Sequence, residues 1–259
     1  MTRLAGVLWI ALFATFGPAA AAANFDPEQV AAVDKAADAF AVLGMEAYQT
    51  GAPPRQSDST AKELLDIIFG TAALNDGPDP IPFAQIDKLN DWLLRVVKTG
   101  MIYVFAGTGI ADIEKISTVD AKVQQQIAAN TTAFAPELGR YYDSQLALSR
   151  AEMDTVAAEM AAHPDKFTSS NATSGLAQMR TGLTQTLIGV VTTFPVPGLD
   201  PTWMRERELA LVAIAPSAAR FLDDGSRKQV REAALQVADT MSDQAVKDGL
   251  VAFAKTIMP

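Results

Sequence analysis

From Pro136 to Pro164 the chain reads PELGRYYDSQLALSRAEMDTVAAEMAAHP. A proline opens this stretch and a proline closes it, and a helix tolerates proline in its first turn but not in its interior. Between the two, Tyr142, Leu146, Ser149, Met153, Val156, Met160 and His163 recur at alternating steps of four and three. That spacing places all seven on one face of an α-helix, the pattern of a seam packed against other helices. Strand-type alternation is scarce throughout the sequence, so the chain reads as all-α.

Upstream, Ile86, Leu89, Leu93, Val97, Met101 and Val104 form a second long stripe, with Gly107-Thr108-Gly109 as its expected terminator. Asp26-Pro27 predicts the start of a first helix, with Val30, Val33, Ala37, Phe40 and Gly44 on one face and an end near Thr50. Gly51 to Asp58 reads as a linker. Thr60 with Glu63 fits a capping box for a short helix ending at Gly70. Asn75 to Pro82 is turn-forming. Thr118 is the expected cap of a helix carrying Val119, Val123 and Ile127.

Downstream, Leu176, Met179, Leu183, Leu187, Val190 and Phe194 share a stripe, and Pro195 to Asp200 (residues 195–200) is a candidate sub-boundary. Asp200-Pro201 restarts a helix that Pro216 is expected to interrupt and Asp223-Asp224-Gly225 to close. The pattern from Ser226 through Val230, Leu235 and Ala238 returns at Ser242, Val246, Val251 and Ala254, a shift of one helix and its turn. This predicts a C-terminal helical hairpin over 226–257, each serine capping its helix. Part of it, Asp224 to Leu235, resembles a HEAT-type repeat over less than one repeat length and departs from it elsewhere. The expectation is a single domain over 24–259, an antiparallel bundle or irregular helical array of about eight helices.

The first 23 residues read differently. Arg3 is a short positive start, Leu4 to Phe16 is uncharged, Gly17-Pro18 breaks the run, and Ala19 to Ala23 offers small residues for cleavage. Residues 1–23 are therefore expected to be a secretory signal peptide, too short in its apolar part to span a bilayer. The alanine-rich composition points to a bacterial periplasm. The uncharged stretch 181–199 is interrupted by threonines and prolines, so no transmembrane segment is expected in the mature chain.

Composition then removes whole chemistries. Cysteine is absent and histidine occurs once, at His163. Disulfides, thiolate catalysis, iron–sulfur ligation and multi-histidine metal sites are excluded, and no cofactor is implied. The formal net charge of −9 argues against a nucleic-acid partner. His163, in the last turn before Pro164, reads as a structural residue at the helix C-terminus rather than a metal ligand. The Arg205-Glu206-Arg207-Glu208 run reads as a solvated face, with Trp203 and Arg207 one turn apart and able to stack.

Two features point toward a site. Gly175, Gly182 and Gly189 recur every seven residues, a smooth helical face for a neighbouring backbone or a ligand. Tyr141 and Tyr142, beside Arg140, are candidates for lining a pocket or partner surface. Ser174-Gly175-Leu176-Ala177-Gln178-Met179 resembles in part the Gly-Leu-Met-Gln segment of lytic transglycosylases, all-helical enzymes that act on cell-wall glycans with one glutamate. That resemblance would assign the acid to Glu152, 23 residues before Gly175, although Met153 follows it where the family has a serine. The leading expectation is non-catalytic: a binding or protein-interaction module that recognises a protein, a peptide or a small apolar ligand in a groove between helices. The alternative is a cofactor-independent enzyme that works through Glu152.

Overall fold

A computed structural model describes residues 27–71, 74, 80–110 and 120–258. The expected signal peptide and Thr118 lie outside these residues. Among them the regular structure is entirely helical: α1 (Pro27–Gly44), α2 (Ala47–Thr50), α3 (Ser59–Ile68), α4 (Ile86–Val104), α5 (Ala121–Ala133), α6 (Ala135–Ala162), α7 (Ser170–Val191), α8 (Pro201–Phe221), α9 (Asp224–Thr240) and α10 (Gln244–Thr256). Short 3-10 turns at Phe83–Gln85 and Pro164–Phe167 precede α4 and follow α6. No described helix is long and apolar enough to cross a membrane.

The long stripe of the sequence becomes α6, opened by Pro136 in its first turn and ended at His163. Elsewhere the starts are set by aspartates that the stripe patterns did not single out. Asp58 accepts from the backbone N–H of Ala61 at 3.0 Å, which displaces the expected Thr60–Glu63 box. Asp120 caps α5 through Val123 N–H at 2.8 Å. Asp223 accepts from Ser226 N–H, so Asp223-Asp224-Gly225 opens α9 instead of closing α8. Asp243 accepts from Ala245 and Val246 and takes the role expected of Ser242. A short carboxylate supplies a charged acceptor to the first-turn N–H groups, favoured by the helix dipole as well as by geometry.

Two breaks also differ from expectation. The first helix ends at Gly44, and the four-residue α2 follows, closed by Gly51 in the left-handed region at φ 73°. The loop after α4 pairs with α2: Gly107 N–H donates to Ala47 O and Gly109 N–H to Tyr48 O, with both glycines at positive φ. α8, by contrast, runs through Pro216 without stopping. Proline deprives the helix of the bond to the Val212 carbonyl, and the packed neighbours hold the rest of the rod together.

Neighbouring helices are not uniformly antiparallel. Arg95 of α4 reaches Asp34 and Asp38 of α1 while Gly44 lies against Ile102, so α1 and α4 point the same way. α4 runs against α6: Phe83 at the start of one meets Phe167 just past the end of the other, and Gly100 meets Tyr141. α6 and α8 are parallel, joined by Trp203 Nε1 to Ala135 O at one end and Arg220 to Asp154 at the other. α8 and α10 are parallel too, through Arg205 to Ala245 O and Glu208 against Gly249. α9 packs on α10, as the expected hairpin, and on α7. The molecule is thus an irregular helical array, and the evenly alternating bundle is not what forms.

Side chains from one helix finish the carbonyl ends of others. Trp92 and Arg140 donate to Ile68 O and Leu65 O at the end of α3. Asn130 donates to Val104 O and Ala106 O after α4, and Arg180 to Phe221 O at the end of α8. These orphan acceptors would otherwise be desolvated without a partner. The buried apolar residues, from Val30 to Ile257, form one connected cluster, and Phe194 and Leu199 on either side of the 195–200 segment both belong to it.

Candidate functional site

α6 and α7 form a hairpin around the Pro164–Phe167 turn. His163 sits exposed at the joint, its backbone N–H on Glu159 O and its carbonyl accepting from Lys166 N–H. Ser169 caps the returning helix through Ala172 N–H. One side-chain bond crosses between the rods: Gln145 Nε2 donates to Thr186 Oγ1 at 3.4 Å.

That bond gives the register. Equal steps along two antiparallel helices from the Gln145–Thr186 pair set Ser149 level with Gly182, Val156 with Gly175, and Tyr142 with Gly189. Helical periodicity places Tyr142, Gln145, Ser149, Glu152 and Val156 on one face of α6, and Gly175, Met179, Gly182, Thr186 and Gly189 on the corresponding face of α7. The two helices are not a closely packed pair; α7 packs on α9. The close backbone approach that the glycines would permit is not made at Gly189, where an added Cβ would meet nothing within 4 Å.

Glu152 is the chemically unusual member of this seam. It is 8% exposed, and among the described residues no hydrogen bond or ion pair engages it. Burial alone pushes its carboxyl up to about 7. Burial disfavours the ionised form of a carboxyl, so the group holds its proton to higher pH. The charged groups on the surrounding elements are engaged elsewhere or face solvent. Asp154 takes Arg150 and Arg220, and Glu159 takes Lys166. Arg95 serves α1, Arg180 caps α8, and Arg207 pairs with Asp143. Asp87, Lys88, Asp91 and Lys98 on α4, and Lys122 on α5, are exposed.

The tyrosines behave differently from the expected pocket lining. Tyr141 is buried against Gly100, its ring 4.9 Å from that of Tyr142 and 6.3 Å from Phe69. Tyr142 turns edge-on to Trp203. Both are core residues at the junction of α4, α6 and α8.

Three buried charges escaped the sequence reading. Glu137 is fully buried, and its Oε1 accepts from Arg55 Nε at 3.1 Å and from Gln56 N–H at 2.9 Å, which straps the 51–58 linker onto α6. Arg207 is buried, pairs with Asp143 and lies over the Trp203 ring at 5.3 Å, the expected stacking contact. Glu208 is buried between Arg205 and Gly249. The run Arg205–Glu208 is therefore not a solvated face: its second pair points inward. The available signal was the rotation of 100° per residue, which turns Arg207 and Glu208 toward α6 and α10 once Trp203 is placed in the core.

Among the described residues no group of three His, Cys, Asp or Glu could hold a metal ion. Val42 and Met45, each 68% exposed, and Leu43 leave an apolar corner at the end of α1. No protein-family model matches the chain, and neither a curated protein nor a solved structure shows significant similarity to it.

Proposed function

We propose that the protein is an exported, periplasmic binding module, non-catalytic, whose ligand occupies the seam between α6 and α7. The observation that carries the reading is Glu152: a carboxyl on α6 that is 8% exposed, pushed up to about 7 by burial and without an ion-pair partner among the described residues. Of the other buried charges, Glu137 and Arg207 each tie two elements together, and Glu208 pairs with Arg205 of its own helix. Glu152 holds nothing, and an ionisable group kept at that energetic cost is a functional-site signature. Export rests on residues 1–23 and the cleavage expected after Ala23.

The direct test is native mass spectrometry of the protein purified from its own host. The expected spectrum shows the polypeptide from Asn24 carrying a small molecule that is released on denaturation and missing from an E152Q variant. A bare polypeptide in both samples removes the reading.

One observation favours the second reading. A carboxyl held near neutrality suits a general acid, as in glycan-cleaving enzymes with a single raised glutamate. The binding reading is preferred because Met153 follows Glu152 where the glycan-cleaving family has a serine. Incubation with peptidoglycan decides between them: new glycan fragments that vanish with E152Q establish the enzyme.

A further inference from the structure

We draw no further inference here: the strongest candidate, the exposed apolar corner that Val42, Leu43 and Met45 form at the end of α1, carries none because nothing in the structure shows what covers it.

Discussion

Glycines at Gly100 and Gly189 look alike in the sequence, each inside a helical stripe, and the structure gives them opposite roles. The Tyr141 ring occupies the place a Cβ at Gly100 would need, whereas Gly189 faces open space. Gly100→Ala should therefore destabilise the protein by about 1–3 kcal/mol through overpacking. Gly189→Ala should stabilise it by about 0.5–1 kcal/mol by removing helical glycine entropy. Urea denaturation of the two variants checks both signs. Sequence periodicity did not single out Gly100, Gly139 and Gly249, because the atoms that crowd them come from other helices, Tyr141, Arg207 and Glu208. Glu152 could be singled out from the sequence but its isolation could not, since that depends on where every nearby arginine finds its acid. The carboxyl titrates near 7 in the folded chain and near 4.5 when unfolded. Between those values the folded state holds a proton that the unfolded state has released. Stability should then fall as pH rises from about 4.5 to 7 and level off above, by at most about 3 kcal/mol. Asp143, half-exposed and pushed up to about 6 by burial despite Arg207, adds slope of the same sign at lower pH. The E152Q difference is therefore read between pH 6 and pH 8, where the variant should show a flatter curve and greater stability than the parent at pH 8.

Elements were legible where a stripe met a proline or glycine, as in α6, α4 and the α9–α10 pair. Their first residues were not, because serine, threonine and aspartate compete for the same cap and the preference among them is small. The competition has a measurable outcome. Asp243→Ala should lower stability by about 1 kcal/mol, while Ser242→Ala, one residue earlier, should leave the denaturation midpoint in place. The direction of packing was also hidden. Parallel contacts between α1 and α4, α6 and α8, and α8 and α10 depend on pairs such as Arg95–Asp34 and Trp203–Ala135, far apart in the chain. The linker at 51–58 reads as loose from its composition, yet Glu137 and the Tyr103 hydroxyl, which donates to Pro54 O at 2.7 Å, hold it down. Glu137→Ala should free that strap, and limited trypsin digestion should then cut after Arg55 at a protein-to-protease ratio that leaves the parent intact.

For the whole molecule, the all-α class followed from periodicity alone, while the choice of an irregular array over an alternating bundle needed three-dimensional contacts. The buried set links the first described helix to the last without a gap at residues 195–200. Far-ultraviolet and near-ultraviolet circular dichroism should accordingly lose signal in one superimposable thermal transition. Glu137 adds an ordering in time. The groups that satisfy its buried carboxylate lie 81 and 82 residues earlier. A polypeptide emerging from its N-terminal end has therefore spun out five helices, α1 to α5, before the acid that clasps the 51–58 linker exists. Until α6 begins to appear, the early half lacks its clasp and stays pliable, and the whole locks late, when more than half of the chain is out.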